Sequence, residues 1–302
     1  MQNKVALLLA LLATAGSACA ADTPASPAIA ARVEKVLTKV PLADGHNDWP
    51  MALRMAYGLE GAKTADLNAD PSLRKPPGHT SIPWAREGHL GLQLWSVYVS
   101  ASLPPADAVK QTFEQIDLVR SMAARYPKDL ALVTTADEAE KAFRAGKIAS
   151  FIALEGANQI DDDIPTLRRA YELGVRSMTL SHSRPTKLFD SATAPPVHNG
   201  MAEGGKAMIA EMNRLGVLVD LSHVSPDVMR QALDVTKSPV VFTHSGARAI
   251  TDHPRDVPDD VLKRLPANGG IVMVTFVPAF IDQKRADWEK ARPAAGPARD
   301  EW

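Results

Sequence analysis

Apolar residues in this chain fall into short runs separated by amphipathic stretches. Seven runs rich in Val, Ile and Leu occupy residues 41–45, 90–99, 148–154, 177–181, 217–221, 239–243 and 271–276. Between them, apolar positions recur at helical spacing over 106–126, 136–145, 163–173, 204–215, 226–234 and 259–265. Such alternation predicts an α/β fold with a parallel sheet covered on both faces, because each parallel crossover lays a helix on the sheet. An open doubly wound sheet and a (β/α)8 barrel both satisfy the pattern. No G-x-G-x-x-G follows the first run, so the dinucleotide-binding form of the open sheet has no support. The polar residues favour the barrel: nearly every chemically competent one lies at the C-terminal end of a run, where barrel enzymes build their sites. The expectation is therefore a TIM-type (β/α)8 barrel with seven strands visible and the eighth missing.

The two ends of the chain add a compartment and boundaries. Lys4 precedes an apolar stretch over 5–13, and small residues follow to Ala18-Cys19-Ala20. A basic start, a short apolar core and an A-x-A-like ending describe a signal peptide over 1–20. The stretch is too short to span a bilayer, which takes roughly 20 apolar residues. Gly16 stands where a lipoprotein signal usually has Leu, so export to the periplasm or medium is expected rather than lipid anchoring. Cleavage after Ala20 removes Cys19, the one cysteine, and leaves a core without disulfides. Residues 21–40 read as a linker and N-terminal helix, and 41–302 as the incomplete barrel, ending in an Ala/Pro-rich stretch over 291–298. Charge is balanced, with 34 basic and 35 acidic residues and no long basic block. Nothing in that balance suggests a nucleic-acid or membrane-surface partner.

The run ends carry the chemistry. In order they give Asp44-Gly45-His46-Asn47-Asp48, Ala153-Leu154-Glu155-Gly156, Thr179-Leu180-Ser181-His182-Ser183, Asp220-Leu221-Ser222-His223 and Phe242-Thr243-His244-Ser245. Four of the eight histidines thus close four different strands. Taken singly, a strand-end histidine is more often a core or loop residue than a ligand, and Glu155 alone reads as a helix cap. Together they read differently, because the strand ends of a barrel converge on one mouth. Crowding such titratable groups without an ion costs several kcal/mol in repulsion and desolvation. His46 and Asp48, two apart on an extended segment, point the same way and grip one ion. Nitrogen and carboxylate donors without thiolates suit zinc, with manganese or cobalt as alternatives. Five ligands exceed the three that one catalytic zinc uses. Two metals roughly 3.5–4 Å apart and sharing a carboxylate accommodate them, with Glu155 the natural bridge. Bridged metals turn a shared water into hydroxide at neutral pH, which attacks a carbonyl; the chemistry implied is hydrolysis.

Further stretches complete a recognisable set: Gln93-Leu94-Trp95-Ser96-Val97-Tyr98, Asn213-Arg214-Leu215-Gly216-Val217, Val224-Ser225 after His223, and His253-Pro254-Arg255-Asp256-Val257-Pro258-Asp259-Asp260. With the strand ends above, and in this order, they make residues 40–280 resemble the membrane (renal) dipeptidase family. The resemblance implies a barrel of the metal-dependent hydrolase kind and zinc-dependent hydrolysis of dipeptides. By position it implies that His46 and Asp48 bind the first of two zinc ions, that Glu155 bridges, and that His223 and His244 bind the second. His182 then matches the histidine that binds substrate and stabilises the oxyanion. Arg255 matches the residue pairing with the dipeptide's terminal carboxylate, a task suited to a planar fork of donors. Two other readings stay open: a metal-binding but catalytically impaired homologue, and a related metal-dependent amidohydrolase. The latter usually carries His-x-His where this chain has His46-x-Asp48.

Two departures from the family bear on function. After His182-Ser183 the family usually has asparagines and an aromatic, whereas Arg184-Pro185-Thr186-Lys187-Leu188-Phe189 stands here. The added positive charge beside the substrate pocket is expected to favour an acidic end group. In the family, an eighth strand supplies an aspartate that passes a proton to the leaving amine, and no matching Gly-Ser-Asp-like element precedes Trp302. A fragment, an early-terminated gene product and a homodimer whose second subunit covers the gap each account for this, since the outer strands would otherwise keep unpaired edges.

Overall fold

Runs of Val, Ile and Leu become strands because branched aliphatic side chains fit a pleated surface buried on both sides. The computed structural model describes residues 26–292, so the expected leader at 1–20 lies outside the described residues. The chain divides into two units, residues 1–39 and 40–302. In the first, helix Pro27–Leu37 begins where the Ser26 hydroxyl accepts the Ile29 amide, with Pro27 pre-set for the opening turn.

The second unit builds one sheet from β1 (Leu42–Asn47), β2 (Leu90–Ser96), β3 (Leu130–Leu132), β4 (Ile148–Glu155), β5 (Val175–Thr179), β6 (Leu218–Asp220), β7 (Val240–Ser245) and β8 (Ile271–Val274). Every pairing is parallel, in the order β1-β2-β4-β5-β6-β7-β8. These seven are the seven apolar runs of the sequence. Helices Pro105–Arg125, Ala136–Arg144, Ile164–Glu172, Glu203–Leu215 and Pro226–Val235 fill the crossovers. The expected helix over 259–265 is two short ones, Asp259–Leu262 and Leu265–Asn268, the second opening with Pro266 near its start. No helix among the described residues is long and apolar enough to cross a membrane.

Strand β3 and helix Trp49–Thr64 are among the elements with no clear signal in the sequence. Strand β3 has only three residues, too few to show a period, and pairs with Ile148–Ser150 at the start of β4. Helix Trp49–Thr64 breaks its period at Gly58, whose φ of 68° is not helical.

The sheet curls until its ends nearly meet. The Gly45 backbone in β1 packs on the Thr243 carbonyl of β7 and the Met273 thioether of β8, and a Cβ at position 45 would overlap both. Only glycine permits that approach. The result is a nearly closed, TIM-type barrel of seven strands; β3 is an addition on β4, not an eighth stave. Among the described residues, β1 and β8 end the sheet. Trp95, Ile152 and Phe242 are essentially fully buried and pack with Ile116, Val119 and Met122 of helix Pro105–Arg125 in one core. Burial of each such side chain stabilises the fold by about 1.5–3 kcal/mol.

Candidate functional site

At the C-terminal strand ends the pleat becomes irregular where chemistry is concentrated. The β1–β2 register shifts between Asp44 and Asn47, around His46, and the β7–β8 register shifts between Phe242 and Ser245, around His244. Such irregularities re-aim side chains. The Asp44 carboxylate accepts the His46 amide at 3.0 Å and holds this bend. His223, just past β6, has φ of 69°, a left-handed conformation uncommon for a non-glycine residue. The Ala192 amide donating to its carbonyl at 2.7 Å steadies it. Strain of this kind costs of order 1–3 kcal/mol and gathers at functional sites.

All these side chains meet at one oxygen. The Nε2 atoms of His223, His244, His46 and His182 lie 3.1, 3.4, 3.5 and 3.6 Å from Glu155 Oε1. Ser96 Oγ donates to the other carboxylate oxygen at 3.2 Å, which orients the group. Asp48 lies just beyond β1, as the residue before helix Trp49–Thr64, and its Oδ2 is 3.3 Å from His46 Nε2. Two sets of donors come within 4.8 Å of one another: His46, Glu155 and His244, and Glu155, His182 and His223. The seven residues singled out in the sequence, Arg255 included, line one cavity of about 750 Å³.

Hydrogen bonds behind an imidazole fix which ring nitrogen it can offer to a divalent metal. Asp220 is buried, and its carboxylate accepts Thr179 Oγ1 at 2.7 Å and Thr243 Oγ1 at 2.6 Å. A hydroxyl has one proton, and Thr243 gives its own to Asp220. The contact between Thr243 Oγ1 and His244 Nδ1 at 2.8 Å must then run from the ring N–H to the hydroxyl. That places the lone pair of His244 on Nε2, only 2.8 Å from His223 Nε2. What faces that lone pair must be positive: an Nε2–H of His223 or a cation shared by the two rings. Imidazole nitrogens around a shared carboxylate, with His244 oriented by Thr243 and His182 in contact with Ser183, fit a metal of the zinc type.

Electrostatics point the same way. Burial raises Glu155 above the usual carboxylate range, with His46 opposing. Burial works to lower His46, but the Glu155 and Asp48 carboxylates outweigh it and lift the ring to about 10. Burial pushes His223 and His244 well below the usual range, helped by Arg255. Burial also lowers His182, against Glu155. Neutral imidazole is the form in which histidine binds metal, so His182, His223 and His244 already hold it, whereas His46 gives up its proton to a cation that takes its place.

Arg255 is buried, and burial pulls its guanidinium down to about 10, where it stays charged at neutral pH. One Nη donates to the His244 carbonyl at 3.2 Å, and the Phe280 ring lies 5.2 Å away. Tyr98 packs against His182 with ring centres 4.8 Å apart and planes tilted by 50°, a neighbour to which no role attaches in the sequence alone. The charge expected from the loop after His182 does not line the cavity. Lys187 pairs with Asp161 at 2.6 Å, and neither it nor Arg184 is among the residues lining the cavity.

Asp220 and Thr243 stand inside the strand-end motifs, but their part in orienting His244 becomes visible only in the packing. Asp220→Asn lets the amide donate to Thr243, so the hydroxyl turns and the His244 tautomer is no longer set. The expected outcome is metal affinity reduced about 10- to 100-fold, measured by competition with a chelator of known affinity. Unchanged affinity would show that the Asp220–Thr243 pair does not tune the ligand.

Comparison with known proteins places the chain among relatives. The family model described as membrane dipeptidase (peptidase family M19) matches residues 30–293. An uncharacterised dipeptidase of Schizosaccharomyces pombe is 43% identical over 259 residues, covering 82% of this chain and 62% of the relative. Dipeptidase 3 of Rattus norvegicus is 42% identical over 241 residues, covering 78% of this chain and 47% of the relative. The chain thus spans roughly half to three fifths of the length of these two proteins. Among solved structures, the metallopeptidase dipeptidase AC superposes with a TM-score of 0.73 at 26% identity, over 81% of this chain and 74% of that one.

Proposed function

This chain belongs to the membrane dipeptidase family, and from that premise we propose that it hydrolyses dipeptides with two zinc ions held at the barrel mouth. The observation that carries the reading is the convergence of imidazole Nε2 atoms within 3.1–3.6 Å of Glu155 Oε1, in the same cavity as Arg255. In this reading His46 and Asp48 would hold the first zinc and His223 and His244 the second, with Glu155 shared, although by distance alone the donors group as His46 with His244 and His182 with His223 around Glu155. When bound, the metals supply Lewis acidity that makes water nucleophilic at neutral pH and polarises the scissile carbonyl.

The chain's own residues do the rest. Ser96 holds one Glu155 oxygen, so the other faces the imidazoles. Ser183 Oγ lies 3.2 Å from His182 Nδ1; with the hydroxyl as donor, the ring proton sits on Nε2 and meets the substrate oxygen as it gains charge. Arg255, fixed by the His244 carbonyl, binds the terminal carboxylate and sets the distance from that end to the scissile bond. Export through the leader-like residues 1–20 belongs to the same proposal and places the activity in the periplasm or medium.

The test is direct. The purified chain, loaded with zinc, is assayed for metal content and against a panel of L-L and L-D dipeptides. Close to two zinc ions and turnover are expected. Folded, metal-loaded protein that hydrolyses none of the panel would support a metal-binding homologue without catalysis instead.

A further inference from the structure

One cation on the cavity wall has no task in the chemistry above. Arg74 follows the short turn Pro71–Leu73 and opens a loop, 74–80, that lines the cavity with Arg74, Pro76, Pro77, Gly78, His79 and Thr80. The loop is tied down at both ends. The Gly78 amide donates to the Pro71 carbonyl at 2.7 Å, and Asn47 Nδ2 at the end of β1 donates to Thr80 Oγ1 at 3.1 Å. The guanidinium of Arg74 lies against the bare Cα of Gly78, where any Cβ would overlap it. Its Nε and one Nη are buried without a hydrogen-bond acceptor, and no carboxylate among the described residues forms an ion pair with it. Arg74 is half-buried, and leaving two of its three guanidinium nitrogens shielded from water without an acceptor is costly, a cost that an incoming anion would remove.

The charges around the cavity narrow what that anion is. Its lining holds two carboxylates, Asp48 and Glu155, both in the imidazole cluster, and two arginines, Arg74 and Arg255. A dipeptide with neutral side chains brings one carboxylate, which Arg255 receives. We infer that Arg74 receives a second one, the side-chain carboxylate of a glutamyl or aspartyl residue, so that the site selects acidic dipeptides. The inference rests on the dipeptidase reading and assigns to the 74–80 loop the acidic preference that the loop after His182 does not supply.

The experiment compares glutamate with its uncharged isostere. The zinc-loaded chain is given Ala-Glu against Ala-Gln and Glu-Ala against Gln-Ala, and kcat/KM is measured for each. Dissociation constants for the same four come from calorimetry on the metal-free protein. One glutamate member is expected to be preferred about 10- to 100-fold, the factor carried by one charge-assisted hydrogen bond. Arg74→Ala and the bulkier Arg74→Gln are both expected to erase that preference, and Arg74→Glu to invert it. A preference that is absent, or that survives both neutral variants, overturns the inference. Equal losses for the glutamate and glutamine members place Arg74 on the terminal carboxylate and also overturn it. Hydrolysis of none of the four, with an Arg74-dependent preference in the dissociation constants, contradicts the dipeptidase reading while the acidic subsite stands.

Discussion

Glu155→Ala is expected to lower bound zinc sharply from about two per chain and to reduce kcat by about a thousandfold or more. The size follows from geometry and chemistry together. One buried oxygen lies within 3.6 Å of four imidazole nitrogens, so its removal takes a ligand from both proposed metals at once. Metal ions contribute several kcal/mol to transition-state stabilisation, and each 1.36 kcal/mol is a factor of ten in rate. Metal content by atomic emission and kcat on any cleaved dipeptide measure the two effects. An unchanged zinc count would remove the bridging assignment. The same substitution has a signature without metal. Because Glu155 is the foremost group lifting His46 to about 10, the His46 titration followed by NMR should fall well below that value in the variant.

Arg255→Ala is expected to lower kcat/KM about 100- to 1,000-fold for a dipeptide with a free C-terminus, the penalty for truncating one partner of a buried charge pair. The prediction separates recognition from folding through the substrate. A C-terminally amidated dipeptide offers no carboxylate, so the variant should lose far less on it than on the free acid. Arg255→Lys keeps the charge but not the planar fork, and should recover only part of the loss. Equal losses on acid and amide would show that Arg255 acts by supporting His244, whose carbonyl it contacts at 3.2 Å, rather than by binding substrate.

Much of the fold was legible in the sequence because its signals are local. A strand buried on both faces must be a continuous apolar run, and a crossover helix must repeat its apolar positions every three to four residues. The seven barrel strands and five crossover helices follow from that rule, with edges displaced by up to three residues. β1 reaches Asn47 rather than Gly45, and β2 stops at Ser96 rather than Val99. Elements too short or too bent to carry a period, β3 and helix Trp49–Thr64, gave no such signal.

The strand-end positions of His46, Glu155, His182, His223 and His244 were readable for the same reason: a residue's place at the end of a run is a property of the run. Asp48 was expected on the strand beside His46 but stands past it, because the chain turns into a helix after Asn47. The two still meet, through the turn and not through the two-residue repeat of an extended segment.

What the sequence by itself determined is the family, the parallel αβ alternation and which side chains are carried to the barrel mouth. Tertiary structure alone decided which atoms meet there. The four Nε2 atoms share Glu155 Oε1 because the sheet curls until Gly45 touches Thr243, and curvature is summed over seven strands that no local window spans. The lone pair of His244 faces the cluster because Asp220, 24 residues upstream, takes the Thr243 proton. Lys187, conspicuous in the sequence, is neutralised by Asp161, whereas Arg74, which no motif marks, is left without an acceptor on the cavity wall. Whether a charge is free depends on which distant segment packs beside it, and that is settled only when the chain has folded.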